Sequence, residues 1–314
     1  MAAATSLLRR VVEDGREVWR LDNGRVRADV LPVLGGRIWS LVDLDRKTEW
    51  IWHNPKVPLA APAPGASYDD SWAGGWEELF PNDAAGDFDG KALPDHGEWW
   101  SRSWTADAIE DTASRVVLRL RLETKSVAAS CEKFITLEAG AKAVRVRYRI
   151  ENRGKTTLRF MLKQHLAVAA RPGDRLELPG GTVHTVDPSF STHLSDAGPF
   201  EWPVGTDRDG RPSDISVLPP AGKDREFVYV ADLPEGWAGL RRADGSALRM
   251  RFDSKIFPHC WFFMDFGGWR GYYTVVVEPC TNWPKDLAAA AAAGRCATLP
   301  PGGVLETAVE TELS

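Results

Sequence analysis

Cysteine is scarce in this chain. Four occur in 314 residues, Cys131, Cys260, Cys280 and Cys296, with no CxxC pair among them. That spacing excludes a zinc ribbon and a dense disulfide framework, and reduced thiols are expected. No apolar run reaches the roughly 20 residues of a membrane helix. The start "MAAATSLLRRVV" turns to charge too soon for a secretory signal. A cytoplasmic protein with no membrane partner is the expectation. Neither sign of charge dominates: the formal net charge is −5, and the arginines of "RVVLRLRLE" (115–123) and "VRVRYRIE" (144–151) alternate with apolar residues. This pattern places them on solvated outer faces of sheets, so no nucleic-acid partner is expected.

Several catalytic signatures are missing too. There is no GxSxG nucleophile elbow, no Walker loop and no dinucleotide fingerprint. The six histidines, His53, His96, His165, His184, His193 and His259, form no HxH or HExxH pair, so no metal site is expected. Acid–base chemistry without a cofactor is what these absences leave.

What the chain does have is strand signal. Runs such as "VRADVLP" (26–32), "RIWSLVDL" (37–44), "CEKFITLE" (131–138), "LRFMLKQHLAVA" (158–169), "REFVYVADL" (225–233), "LRMRFD" (248–253), "YYTVVVEP" (272–279) and "VLETAVETEL" (304–313) mostly alternate apolar and polar residues between turn signals. One helix is expected over 283–295, opened by Pro284 and closed by Gly294. No linker or repeat divides the chain, so an all-β fold of large antiparallel sheets packed face to face, with few short helices, is expected as one domain over 1–314. Two long loop stretches, 54–70 and 187–214, are of the kind that carry function.

Tryptophan is abundant, with 14 against five tyrosines. Trp72, Trp76, Trp99, Trp100, Trp104, Trp261, Trp269 and Trp283 lie beside glycine or charged residues, where a flat ring with one N–H donor suits a sugar as well as a core. The stretch "GGWEELFPN" (74–82) keeps neither a helical nor a strand period and reads as a functional loop. His96 in "DHGEWW" has the pattern of a cleft loop. His165 in "MLKQHLAV" is either a core histidine with one partner or an acid–base group. Glu278, closing "TVVVE", is either a strand-end acid in water or a buried base whose pKa burial would raise.

These pieces, in this order, resemble the galactose mutarotase (aldose 1-epimerase) superfamily: "LPVLGGRIWSLVD", "GGWEELFPN", "HGEWW", "KQHLAV", "FPHCWFFMDFGGW", "VVVEPCTNWP" and "LPPGG" before a last strand. The resemblance implies a β-supersandwich and a small-molecule sugar substrate. It also implies Glu278 as the base at the anomeric hydroxyl, His165 as the acid at the ring oxygen, and His96 as the group that polarises the ring oxygen or a neighbouring hydroxyl. The galactose-type asparagine–arginine signature is replaced here by "GGWEELFPN", so Trp76, Glu78 and Asn82 are expected to form the sugar-selecting wall, with Trp99 and Trp261 as further contacts. Asp224 and Asp265 are rivals for gripping substrate hydroxyls. Arg37 and Lys163 either bind an anionic substituent or form structural salt bridges. A non-catalytic sugar-binding protein, or a lyase or epimerase acting at another carbon, is the alternative on the same scaffold.

Overall fold

The computed structural model describes residues 7–63 and 65–314. The first six residues, on which the reading of the chain's start partly rests, lie outside this set. Two antiparallel sheets carry the architecture. The larger, of 12 strands, runs in the order Leu8–Glu13, Arg16–Asp22, Val26–Leu31, Arg37–Asp43, Trp76–Leu79, Lys163–Val168, Tyr273–Cys280, His259–Phe266, Arg225–Ala231, Thr182–Thr185 and Phe200–Glu201, with Thr48–Glu49 paired beside Arg37–Asp43. The second, of eight strands, runs Arg175–Glu177, Trp237–Arg241, Ala247–Phe252, Val304–Leu313, Ala143–Asn152, Ala129–Glu138, Arg115–Glu123 and Thr105–Asp111.

The period of two decides which side chains meet between the sheets. Leu166, Val168, Val275, Val277, Phe262, Met264, Val228 and Val230 of the large sheet share one core with Leu118, Leu120, Ile135, Val146, Tyr148, Ile150 and Met250 of the smaller. The arginines of the smaller sheet point outward, as their alternation predicts. Arg145 faces Glu310 at 3.5 Å and Arg147 faces Glu306 at 3.9 Å, both pairs exposed. At the centre of the large sheet the outward-facing Lys163, His165 and Glu278 are instead buried.

Several elements differ from expectation. "LRFMLKQHLAVA" is two strands: Leu158–Phe160 pairs with Ala297–Leu299, and after Met161 and Leu162 the chain enters the large sheet at Lys163. The helix is only Leu287–Ala292, because the Asp286 carboxylate caps it by accepting from Ala289 N at 2.7 Å, beyond the turn that contains Pro284. Inside "GGWEELFPN", Trp76–Leu79 is a central strand, all four residues buried, so no alternation of polarity marks it. His259–Phe266 is likewise buried along nearly its whole length. The four cysteines are free, and among the described residues no helix is long and apolar enough to cross a membrane.

Candidate active site

On the outer face of the large sheet, three adjacent central strands present their alternate residues to a cavity of about 220 Å³. Lys163 and His165 come from Lys163–Val168, Glu278 from Tyr273–Cys280, and Phe263 from His259–Phe266, with Phe227 from the next strand. A short helix and loops complete it: Tyr68 and Asp69 from the helix Tyr68–Ser71, which closes the first long stretch, Trp72 just after it, Asp83 and His96 beyond Leu79, Phe190 from the second long stretch, and Trp269 and Lys285. Glu278, His165 and His96, more than 60 residues apart in the chain, therefore share one space.

Glu278 is buried, and its carboxylate pairs with the Lys163 ammonium, which also holds Asp83 at 2.5 Å. Under the ammonium lies the Trp261 ring, 4.2 Å from Nζ to centroid. Burial raises the Glu278 pKa, and Lys163 only partly offsets it. For Asp83 the balance is opposite: burial pushes up, but Lys163 and His96 together bring the pKa below the ordinary aspartate value. Lys163 stays charged because its two carboxylates outweigh its burial. One cation thus serves two anions, a net negative cluster whose strained member is Glu278.

The imidazoles sit differently. His96 occupies a left-handed backbone position (φ 58°) beside Gly97, its ring stacked on Tyr68 at 3.7 Å and its Nδ1 2.9 Å from the Asp95 carboxylate. A Cβ on Gly97 would come within 2.2 Å of the Phe80 carbonyl oxygen, so the "HG" pair is required by backbone contact. Burial pulls the His96 pKa down, yet Asp83 and Asp95 outweigh it and the net shift is upward. His165 stands edge-on to His96, centroids 6.2 Å apart. Its pKa falls well below the usual histidine value, first through burial, then through the cations Lys163, His96 and Arg37. Its Nδ1 lies 3.1 Å from the Tyr68 hydroxyl, which donates to Glu77 at 2.6 Å, and Glu77 pairs with Arg37 at 2.8 Å.

The remaining expected contacts separate by strand parity and depth. Trp76 and Glu78 point into the core between the sheets: the indole donates to Gln164 at 2.9 Å, and the carboxylate binds Lys133 and the Tyr148 hydroxyl, each at 2.6 Å. Glu77, between them, faces the opposite side toward His165. Trp99 packs on Phe80 and Trp104 in the core, and Trp261 lies beneath Lys163. Asn82 ties its loop through the carbonyls of Pro94 and Ala84. Arg37 is a layer below the cavity, its guanidinium donating to the carbonyls of Leu34, Gly74 and Trp100. Asp265 accepts from Gly267 N and Trp269 N, which sets the turn that carries Trp269. Asp224 lines a separate cavity with His193 and Glu226. Of the nine expected binding residues, only Lys163 lines the cavity, and it is already neutralised by acids.

Glu77, Tyr68, Asp69, Asp83 and Lys285 carried no sequence signal that singled them out; Trp72 and Trp269 stood among the flagged tryptophans. Among the described residues no group of three or more His, Cys, Asp or Glu side chains could hold a metal ion.

No family model matches the chain, and no curated protein matches it in sequence. Solved structures do match. The architecture is the galactose mutarotase-like fold: a protein from Klebsiella pneumoniae, provisionally assigned as an aldose 1-epimerase, superposes with a TM-score of 0.75 at 12% identity over 98% of this chain and 82% of its own. A protein from Escherichia coli K12 with the same provisional assignment gives a TM-score of 0.65 at 15% identity, over 95% of this chain and 98% of its own. A galactose mutarotase-like protein from Clostridium acetobutylicum gives 0.63 at 12% identity, covering 98% of each chain. At these identities the likeness is one of fold.

Proposed function

We propose that this protein is an aldose 1-epimerase-like enzyme, a mutarotase that interconverts the anomers of a sugar by acid–base ring opening without a cofactor. The observation that carries the reading is the convergence of Glu278, His165 and His96 on one cavity rimmed by Trp72, Trp269, Phe190, Phe227 and Phe263. Aromatic faces suit the C–H surfaces of a pyranose. A buried carboxylate of raised pKa suits a general base near neutral pH. Ring opening needs a proton removed at the anomeric oxygen and another delivered to the ring oxygen, and a carboxylate with an imidazolium supplies both.

In this reading Glu278 takes the O1 proton as C1=O forms and the C1–O5 bond breaks, while an imidazolium protonates O5 and becomes neutral. After rotation about C1–C2, O5 returns its proton, attacks C1 from the other face, and O1 regains the proton from Glu278. The test is anomer exchange by saturation-transfer NMR on neutral, acidic and phosphorylated aldoses, with wild type and Glu278→Gln. Exchange that is enhanced and lost in the variant supports the proposal. Binding without exchange points to a sugar-binding protein, and an unsaturated or carbon-epimerised product to a lyase or another epimerase.

A further inference from the structure

The two histidines are wired differently, and the wiring assigns their protons. A tyrosine hydroxyl has one hydrogen. Tyr68 spends it on Glu77 Oε1 at 2.6 Å, a carboxylate kept in place by Arg37 at 2.8 Å from its other oxygen. Arg37 in turn is fixed by three backbone carbonyls. With Glu77 held as a carboxylate by Arg37 against the upward pull of burial, the Tyr68 oxygen is an acceptor toward His165 Nδ1, 3.1 Å away, and Nδ1 carries the proton. The free ring position of His165, Nε2, makes no hydrogen bond among the described residues, and the side chain lines the cavity. His96 is anchored the other way: its Nδ1 proton is held by a carboxylate, Asp95, which favours the doubly protonated ring.

Resting on the mutarotase reading, we infer that Arg37, Glu77 and Tyr68 form a positioning relay that holds His165 as the uncharged Nδ1–H tautomer, an acceptor for a substrate hydroxyl, and that His96 is the acid that protonates the ring oxygen. The roles of the two imidazoles are the reverse of those the family resemblance implies. In proton terms, O5 takes the Nε2 proton of His96 as the C1–O5 bond breaks and returns it on reclosure, while Glu278 cycles the O1 proton. His165 changes protonation in neither step.

The charged surroundings agree with this division. Arg37, Lys163 and His96 bear on His165, with Glu77 at 4.0 Å from its Nδ1. Asp83 and Asp95 bear on His96 against Lys163, and His96 is felt in turn by Asp69, Glu77 and Glu278. Cations outnumber the one carboxylate, Glu77, around His165, and carboxylates outnumber the one cation, Lys163, around His96.

The deciding measurement is ring-nitrogen NMR on histidine-labelled protein at pH 7, with resonances assigned by His96→Gln and His165→Gln. His165 is expected to show a protonated Nδ1 and a bare Nε2, and His96 two protonated nitrogens. Tyr68→Phe and Glu77→Gln should both disturb the His165 pattern while leaving that of His96, with exchange reduced about 10²-fold. Asp95→Asn should instead bring the alkaline limb of the exchange profile to lower pH. A protonated Nε2 on His165 in the unaltered protein, or a neutral His96, would overturn the inference. If the NMR pattern is as expected but no aldose exchanges, the relay stands and the mutarotase reading fails.

Discussion

Lys163 and Glu278, side by side on adjacent central strands, form a buried ion pair whose ammonium is shared with Asp83. Burial raises the pKa of Glu278 by more than the shared ammonium offsets, whereas Lys163 and His96 together outweigh burial at Asp83 and lower its pKa. Glu278→Gln should therefore keep the fold, since Lys163 retains Asp83, and should lower anomer exchange by about 10²- to 10⁴-fold. Circular dichroism together with saturation-transfer NMR checks both halves.

The pH profile follows from the same shifts. Glu278 must be ionised to accept a proton, and its pKa lies above the ordinary glutamate value, so activity should be lost on the acid side at a higher pH than a free glutamate would dictate. His96 must be protonated to donate, and its pKa lies above the ordinary histidine value, so the alkaline loss should also be displaced upward. A bell-shaped kcat/KM against pH is expected, and a profile flat from roughly pH 4 to roughly pH 9 would contradict it.

Glu78, on the core side of Trp76–Leu79, and Lys133, from Ala129–Glu138 of the smaller sheet, give a control away from the cavity. Their pair at 2.6 Å is buried between the sheets. Lys133→Met strands a carboxylate in the core and should cost about 3–5 kcal/mol in urea unfolding, with exchange per folded molecule unchanged. Adding Glu78→Gln should recover much of the loss.

Trp269 lines the cavity from the turn that Asp265 holds. Trp269→Ala removes a stacking face without touching the proton-transfer groups. KM should rise about tenfold, the equivalent of ~1.4 kcal/mol, with kcat nearly constant.

Gly74 has φ 89°, and a Cβ there would meet the Trp52 carbonyl oxygen at 2.2 Å. Its own carbonyl accepts from Arg37 at 2.9 Å. Gly74→Ala should destabilise the protein by about 2 kcal/mol or more, readable in thermal melts, and should loosen Arg37 enough to disturb the His165 ring-nitrogen signals.

The all-β class and much of the core could be read from the sequence, because period-two alternation is local: Val275 and Val277 against Val276 and Glu278 divide between two faces without reference to the rest of the chain. Glu278, His165 and His96 were also legible, through their motifs and order. Only the tertiary structure decided which neighbours serve them. In "WEEL" all four residues are buried, so polarity does not mark a face, and a single step along the strand separates Glu77, beside His165, from Glu78, in the core with Lys133. Tyr68, on a short helix, and Asp83, on a loop, are brought to the site by contacts distant in the chain, Tyr68 with His165 and Asp83 with Lys163. Strand periodicity is a property of adjacent residues, whereas the charges around a buried proton depend on which distant chain segments the sheets bring together.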